Sequence, residues 1–334
     1  MIKNTFLGIG PMSKEIINSL DYFSKKKNSK IMLICSRNQI ESKRLGSGYV
    51  NKFSTKTFSE FIKSKKNSKL IMCRDHSGPY KKDGKKESIY KEVENTKISL
   101  LDDIINDFQI LHIDTSECGK AKYEIAKELI IFCNNNAKKY KKKVFFEFGC
   151  EDHGVLTSLK KFKQDINFLK NFSNRQYIVC QTGSLVKSVF QVGQFDVDTV
   201  KAMSKIANVN GILLKEHNCD YLNNDEIILR KKNGINAINI APEFGVLQTR
   251  MTYYLSKQLG LDKDIIRFKK LVLKKKKWNK WLYNNENNLI KFFSSGHYHF
   301  NENIYKQLIF KINKKINFQK KLDEQVFNKL NKFI

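Results

Sequence analysis

Short apolar runs separated by helical stretches recur along the first 240 residues of this chain. The runs span residues 5–10, 31–35, 70–73, 110–113, 144–148, 177–180, 211–214 and 237–240. Helical patterns lie between them, for example over residues 15–25, 121–137, 156–172 and 197–206. Short continuous apolar runs are typical of parallel strands that are buried on both faces. Eight such strand-then-helix units predict an α/β fold, a (β/α)8 TIM barrel.

An open, doubly wound sheet is the alternative arrangement for alternating strands and helices. That fold favours a glycine-rich first turn with the pattern GxGxxG. The first turn here reads Gly8-Ile9-Gly10-Pro11, which does not match the pattern. The barrel is therefore the better prediction.

The chain changes character after residue 262, where strand-like runs end. Amphipathic helical patterns cover residues 265–277, 288–293, 304–312 and 322–333, without a linker rich in glycine and proline. We therefore expect a barrel over residues 1–262 and a helical extension over residues 263–334 that packs on it. One polar cluster, residues 294–299, stands out in the extension.

Lysine dominates the charge of the chain. It has 62 Lys and Arg against 33 Asp and Glu, a net charge of +29, yet only seven of the basic residues are arginine. Nucleic-acid sites favour arginine for bidentate contacts to phosphate and guanine. Lys, Asn and Ile, which have AT-rich codons, are abundant, so compositional drift explains the charge better than a polyanionic partner. We expect no nucleic-acid partner, although the surplus helps to attract an anionic substrate.

The first residues and the cysteines predict the compartment. No basic segment followed by an apolar stretch opens the chain, so we expect no signal peptide. No run approaches the ~18 apolar residues of a membrane span. The seven cysteines are odd in number and include no CxxC pair, which argues against a disulfide framework or a zinc ribbon. We expect a reduced, cytoplasmic protein with no membrane partner.

Polar side chains crowd the predicted carboxyl ends of the strands, where α/β barrels carry their chemistry. The opposite ends are mostly Lys, Asn and Ser. The candidate site residues at the carboxyl ends are Arg37, Asn38, Gln39, Arg74, Asp75, His76, Asp114, Ser116, Glu147, Glu151, Gln181, Lys215, Glu216, His217, Asn218, Asp220 and Glu243. The three prolines, Pro11, Pro79 and Pro242, also lie just past strand ends. This asymmetry predicts an enzyme, or a protein descended from one.

Histidines and carboxylates at these ends suit a metal ion. His76 and His217 follow different strands, and imidazole with carboxylate oxygens can bind Zn²⁺ or another divalent ion. Such a metal polarises a carbonyl while a carboxylate moves a proton. The alternative is that each histidine is a hydrogen-bonded interior residue. We expect that alternative for the remaining histidines, His112, His153, His297 and His299.

Several of these motifs resemble a known superfamily. Asp75-His76, Asp114-Thr115-Ser116 and Glu147-Phe148-Gly149 resemble strand ends of the class II, metal-dependent ketose-bisphosphate aldolases. A closer resemblance, over about residues 5–260, is to the Z-type, non-catalytic subunits of tagatose-bisphosphate aldolase. Its motifs here are SRNQ at 36–39, RDHSGP at 74–79, HIDTS at 112–116, QTG at 181–183, KEHNCDY at 215–221 and APEFG at 241–245.

The resemblance implies sugar-phosphate metabolism, with a phosphorylated ketose as substrate. It implies that Asp75 or Glu151 transfers protons, and that His76 and His217 bind a divalent metal, for which we expect Zn²⁺. Glu147 or Gln181 completes the metal site. The other strand-end residues are candidate substrate ligands. A catalytic aldolase subunit is an implied partner, and we expect an oligomer.

Two departures from the family pattern leave the activity open. Gln181-Thr182-Gly183 stands where the catalytic aldolases have a His-Gly, and Asn218 to Tyr221 replaces their glycine-rich phosphate loop, with Asp220 placed to repel phosphate. The chain is therefore either an aldolase or a non-enzymatic partner that stabilises a catalytic aldolase. A basic surface-binding protein is the third alternative. A kinase is not expected, because the sequence has no P-loop.

Overall fold

Parallel strands close into a barrel in this computed structural model, which describes residues 5–84, 86–149, 156–280, 282 and 286–334. In chain order the strands are β1 (Leu7–Ile9), β2 (Ile31–Ser36), β3 (Leu70–Ser77), β4 (Ile110–Ile113), β5 (Phe145–Phe148), β6 (Arg175–Cys180), the antiparallel hairpin β7 (Val186–Lys187) and β8 (Phe190–Gln191), β9 (Leu213–Glu216) and β10 (Ala237–Ile240). All except the hairpin belong to the barrel, and β1 pairs with both β2 and β10, which closes it. The predicted (β/α)8 TIM barrel is confirmed.

Helices follow the strands and cover the outside of the barrel. They are α1 (Lys14–Lys27), α2 (Thr55–Ser64), α3 (Ile89–Ile105), α4 (Lys122–Lys139), α5 (Leu159–Leu169), α6 (Val197–Val209), α7 (Asn224–Lys232) and α8 (Pro242–Gln258). Polar side chains start several of them: Ser13 accepts from the Ile16 amide of α1, and Asn223 with Glu226 forms a capping box on α7. Pro242 occupies the first turn of α8, where its missing N–H leaves no bond unmade.

Side chains alternate along each strand between the barrel interior and the helices. On β3, Ile71 and Cys73 belong to a small apolar cluster inside the barrel, whereas Leu70 and Met72 belong to the main core under the helices. The same two-residue period continues to the carboxyl ends of the strands and turns polar side chains inward. These are Asp75, His112, Glu147, Lys215 and Asn239.

The last part of the chain packs on the barrel helices. It contains α9 (Asp262–Lys275), α10 (Asn288–Ser295), a 3-10 turn (Gly296–His299), α11 (Asn303–Asn313) and α12 (Phe318–Leu330). Helix α12 lies on α1, where Leu322 and Val326 are buried and the Phe327 ring meets that of Phe23 at 5.4 Å between centroids. Since α12 covers the apolar face of the first barrel helix, the extension and barrel share one core.

The lengths and compositions of the helices bear on membrane insertion. Across the described ranges, none of them combines the length and the apolar character that crossing a bilayer demands.

The shared core predicts that the extension and the barrel unfold together. Leu322→Ala should lower the free energy of unfolding by about 2–5 kcal/mol, because a fully buried leucine is removed from packing against α1. Urea unfolding followed by circular dichroism measures this. Phe310→Ala, at a side chain that is 62% exposed on α11, is the matched control and should change stability by less than about 0.5 kcal/mol. A separate transition for the extension alone, with the barrel unaffected by Leu322→Ala, would contradict the shared core.

Candidate active site

A break in the regular strand places two consecutive residues of β3 in the barrel mouth. The pairing of β3 with β4 shifts register between Arg74 and Ser77, and His76 has a left-handed backbone with φ of 47°. A regular strand would send Asp75 inward and His76 outward. The irregularity instead lets both side chains line one cavity. Left-handed backbone is unfavourable for a residue with a Cβ and is concentrated at functional sites.

Three histidines from different strands meet above the apolar interior. The imidazoles of His76, His112 and His217 lie 5.1–5.3 Å apart between ring centroids. Nδ1 of His112 accepts from the His76 amide at 3.2 Å, and its Nε2 donates to the Gly149 carbonyl at 3.3 Å. These two bonds orient the ring with Nδ1 on the side of Asp75 and Glu147, and a metal bound to Nδ1 would replace the hydrogen bond from the His76 amide.

Two carboxylates complete the cluster. Asp75 Oδ1 lies 3.6 Å from His112 Nδ1 and accepts from Asn239 Nδ2 at 3.2 Å. Burial opposes ionisation of Asp75, but His76 and His217 outweigh it and hold the pKa of this carboxyl below its usual range. Gly8 makes room for Asn239, since a Cβ at Gly8 would lie 2.3 Å from Asn239 Oδ1.

Glu147 balances a lysine buried inside the barrel. Its Oε2 accepts from Lys215 Nζ at 2.6 Å, and its Oε1 accepts from His217 Nε2 at 2.9 Å. Lys215 and Glu147 are both 1% exposed. Burial raises the pKa of Glu147, but Lys215 and the His217 hydrogen bond outweigh it and lower that pKa to about 2. Glu147 is therefore ionised, and it orients His217.

A further carboxylate, Asp114, holds His76 from the side. His76 Nδ1 donates to Asp114 Oδ2 at 2.8 Å, and Ser116 Oγ donates to Asp114 Oδ1 at 2.7 Å. Lys81 Nζ lies 3.1 Å from the same carboxylate. Although burial raises the pKa of Asp114, the His76 hydrogen bond keeps it well below the usual value. The pairing leaves His76 Nε2 as the atom that can bind a ligand.

The cluster opens into a cavity of about 730 Å³. Of the predicted site residues, the structure brings seven to its wall: Asn38, Gln39, Asp75, His76, His217, Asn218 and Asp220. Residues of the extension line it as well, among them Tyr298 and His299. The mouth of the barrel is thus built from both parts of the chain.

Four predicted substrate ligands instead form ion pairs with neighbouring side chains, Arg74 and Glu216 on the outer side of their strands. Arg37 pairs with Glu41, Arg74 with Asp103, Glu216 with Arg230 and Glu243 with Lys329. The two-residue period explains this placement, because Arg74 and Glu216 adjoin the inward-facing Asp75 and Lys215. The structure does not bring these four side chains to the wall of the cavity formed by the described residues.

Three other predicted residues also lie away from the described cavity wall. Lys215 lies beneath the cluster as the countercharge of Glu147. Gln181 is buried, and its backbone exchanges hydrogen bonds with Thr157. Ser116 supports Asp114. Glu151 and His153 lie outside the described residues, so the expectations for them stay untested.

Sequence reasoning missed His112 and Asn239 as members of the cluster. His112 is a buried, hydrogen-bonded residue, as its position within a strand predicts, and it also lies between His76 and Glu147. The two-residue period of β4 was the available signal, since Ile110 lies inside the barrel and His112 follows two residues later. Asn239 holds the same position relative to Ala237 on β10.

Asp220 occupies the N-terminus of α8. Its Oδ1 accepts from the backbone amides of Ala241 at 3.1 Å and Glu243 at 2.8 Å. In barrel enzymes, helix N-termini after the last strands are frequent phosphate sites. Burial and the nearby Glu243 raise the pKa of Asp220 to about 8. A carboxyl group thus stands where other barrels bind phosphate.

Comparison with known proteins supports the fold and does not identify a family. No family model matches the chain, and no curated protein matches it by sequence. Among solved structures, a probable tagatose 6-phosphate kinase from Sinorhizobium meliloti 1021 superposes with a TM-score of 0.79 at 13% identity, covering 93% of this chain and 87% of that one. Since so few residues are identical, this likeness establishes a common fold and leaves the activity open.

Two further structures extend the comparison. A fructose-bisphosphate aldolase from Campylobacter jejuni has a TM-score of 0.60 at 11% identity, covering 98% of this chain and 90% of that one. A fructuronate-tagaturonate epimerase from Cohnella laeviribosi has a TM-score of 0.61 at 12% identity, covering 99% and 81%. The fold is therefore one on which carbohydrate-acting proteins are built.

The donor set of the cluster fits a divalent metal. Two groups have ligand atoms within 4.8 Å of one another: His76, His112 and His217, and Asp75, His112, Glu147 and His217. Imidazole nitrogens with carboxylate oxygens are the ligands of catalytic zinc sites. Asp114 and Gly149 orient two of the imidazoles from behind, as outer partners of metal-bound histidines do.

We predict that the chain binds zinc stoichiometrically through this cluster. His112→Gln and His217→Gln should each weaken zinc affinity by about 100-fold or more, because a ligand is lost rather than an outer partner. Isothermal titration of the metal-free protein, with metal analysis after dialysis, measures this. His299→Gln, in the same cavity wall but outside the cluster, should retain zinc. Equal affinity in all variants would contradict the assignment.

The Lys215–Glu147 pair predicts a specific pattern of stability. Glu147→Gln should lower the free energy of unfolding by about 3–5 kcal/mol, because Lys215 is then buried without a countercharge. The double variant E147Q/K215M should recover most of that loss. Urea unfolding in the presence of a chelator measures both.

The same pair sets a pH dependence. The pKa of Glu147 falls from about 4.5 to about 2 on folding, so its stabilising effect is complete above about pH 4.5 and is lost as the pH falls toward 2. The free energy of unfolding of the wild type should therefore fall more steeply over this range than that of E147Q/K215M. Parallel pH profiles would contradict the role of the pair.

Proposed function

We propose that this chain is a metal-dependent lyase that cleaves or forms a carbon–carbon bond in a phosphorylated ketose. The observation that carries the proposal is the juxtaposition of a three-histidine cluster with the carboxylate of Asp75 at the mouth of one cavity. A retro-aldol reaction needs both a means to polarise a carbonyl and a base beside the bond that breaks. The fold shared with the Campylobacter jejuni aldolase supports the proposal.

The residues of the chain have distinct roles in this proposal. His76, His112 and His217 would hold the metal, which when bound would polarise the ketose carbonyl. Asp75 takes the proton of the hydroxyl group on the far side of the breaking bond. That carbon becomes an aldehyde, and the bonding electrons move to the carbon beside the carbonyl. This carbon then takes up a proton from water or from protonated Asp75, which returns Asp75 to its ionised form. Asn239 positions Asp75 through its hydrogen bond to Oδ1.

The phosphate group of such a substrate would lie away from the N-terminus of α8. Asp220 satisfies the amides there and repels an anion when it is ionised. Lys187 and Lys277 line the same cavity, and ammonium groups bind phosphate well. Binding the phosphate near Lys187 of the β7–β8 hairpin and Lys277 of the extension is consistent with this charge distribution.

A second candidate function is a non-enzymatic subunit that stabilises a catalytic aldolase. Asp220 is the observation that favours it, because a carboxyl group in place of a phosphate site weakens the argument for sugar-phosphate turnover. Phosphoryl transfer has less support, since the sequence contains no P-loop.

We also propose that the chain works in a reducing compartment such as the cytoplasm. Among the described residues, Cys35, Cys73, Cys118, Cys133, Cys180 and Cys219 are free thiols, and all but Cys118 are buried. Disulfides form in oxidising compartments, so free thiols are consistent with a reducing one.

The decisive experiment compares zinc-loaded wild type with Asp75→Asn in an aldehyde-release assay. D-fructose 1,6-bisphosphate and D-tagatose 1,6-bisphosphate serve as substrates. Asp75→Asn should lower the rate by about 10²–10⁴-fold, because it removes the base, while zinc is retained. Asp83→Asn, an exposed carboxyl group on the same cavity wall, is the matched control and should keep the wild-type rate.

Two outcomes would count against the proposal in different ways. Activity that survives Asp75→Asn would overturn the catalytic role of Asp75. A wild type without activity, which instead raises the thermal stability of an added catalytic aldolase subunit, would favour the second candidate over the lyase.

A further inference from the structure

The extension reaches over the mouth of the barrel with one short element. The 3-10 turn Gly296–His299 follows α10, and His297, Tyr298 and His299 all line the cavity that contains Asp75 and His217. This element is not needed to close the barrel, because pairing among the strands does that. It brings side chains of the extension into the same cavity as His76 and His217 of the candidate metal cluster.

Two polar atoms of this element are buried without a hydrogen-bond partner among the described residues. His297 is 3% exposed and His299 is 6% exposed. Within the part of the chain that the structure describes, Nδ1 of His297 and Nε2 of His299 have no hydrogen-bond partner. Burying a polar atom without a hydrogen-bond partner lowers the free energy of unfolding by about 1–3 kcal/mol. Such atoms in residues that line a cavity therefore indicate that a ligand supplies the missing partner.

The position of His297 is set by close packing. Gly245 on α8 allows the contact, because a Cβ there would lie 2.7 Å from the His297 ring. The rings of Tyr298 and His297 lie 4.2 Å apart between centroids and are tilted by 37°, and the Tyr49 ring lies 4.9 Å from that of Tyr298. Tyr49 comes from the loop after β2, so the barrel and the extension form this wall together.

The chemistry of the wall favours an uncharged, hydroxyl-rich ligand. Burial lowers the pKa of His297 to about 3, so its imidazole is neutral at neutral pH. A neutral imidazole has one donor and one acceptor nitrogen, which complements a hydroxyl group. The rings of Tyr49 and Tyr298, which line the same cavity, supply apolar surface for the C–H groups between hydroxyls.

We infer that His297, Tyr298 and His299 form a second subsite, which binds the hydroxyl-bearing carbons of the sugar remote from the metal. The subsite rests on the proposed function, because the three-histidine cluster would bind the carbonyl end of the same molecule. His297 Nδ1 and His299 Nε2 bind sugar hydroxyls, and the tyrosines pack against the carbon chain. The extension therefore selects for substrate length.

The test compares a long and a short ligand on the zinc-loaded full chain. D-fructose 1,6-bisphosphate reaches both subsites, whereas dihydroxyacetone phosphate reaches only the metal end. His297→Leu and His299→Leu should each weaken binding of the six-carbon sugar by about tenfold, the effect of one lost hydrogen bond, and leave the three-carbon compound unaffected. Isothermal titration measures both affinities, and metal analysis shows that zinc is unchanged.

Conservative variants separate binding from folding. His297→Asn places an amide near the Nδ1 position and His299→Gln places one near Nε2, so both should restore affinity if hydrogen bonding is the cause. The subsite would be overturned if affinity for the six-carbon sugar stayed low in these two variants. It would also be overturned if the leucine variants bound both ligands like the wild type.

The proposed function and the subsite fail in different ways. A chain that binds no zinc overturns the metal-dependent lyase. The subsite is then decided by titrating the metal-free protein with the six-carbon sugar: affinity that falls in the leucine variants supports it, and absence of binding overturns it. Stoichiometric zinc with equal affinities in all variants overturns the subsite alone.

Discussion

The closed parallel barrel makes every strand contribute to one enclosed interior, and the site depends on this constraint. Because side chains alternate along each strand, apolar residues such as Ile71 and Cys73 fill the interior, and polar residues two positions further on line its mouth. The irregularity at His76 is the local exception that adds a second residue from β3. Convergence of distant residues such as Asp75 and His217 therefore follows from barrel closure rather than from their spacing in the chain.

Charge compensation is the second requirement of such an interior. Isolated charges are costly to bury, and here Glu147 is neutralised by Lys215 while Asp114 is paired with His76 and Lys81. Both carboxylates orient imidazoles of the cluster, so the interactions that stabilise the interior also preorganise the candidate metal ligands. Asp220 shows the opposite effect, because burial beside Glu243 raises its pKa and favours its neutral form. Its Oδ1 accepts hydrogen bonds from backbone amides at the N-terminus of α8.

The sequence predicted the barrel well because a short apolar run followed by a helix is a local pattern. It also predicted His76, His217 and Asp75 at the mouth, because strand ends can be read from the same runs. The position of a strand end alone does not separate inward from outward residues, and the two-residue period is needed to assign Arg74 and Glu216 to the outer side, where they form buried ion pairs. His112 was missed because a histidine within a strand also fits an ordinary interior residue. His297 and His299 line the cavity because the extension packs on the barrel, with His297 against Gly245 of α8. Such a contact between distant segments cannot be predicted from a local sequence pattern.

We propose that His76, His112 and His217 form a metal centre at the mouth of the barrel. The solved structures support the barrel fold only. The metal centre is supported by ligand atoms of these histidines that lie within 4.8 Å of one another. Anomalous diffraction above the zinc absorption edge, from crystals of the full chain grown with zinc, tests it most directly. We expect an anomalous peak bonded to nitrogen atoms of these three histidines. A map with no peak at the cluster, or with zinc bound only by surface side chains, would contradict it.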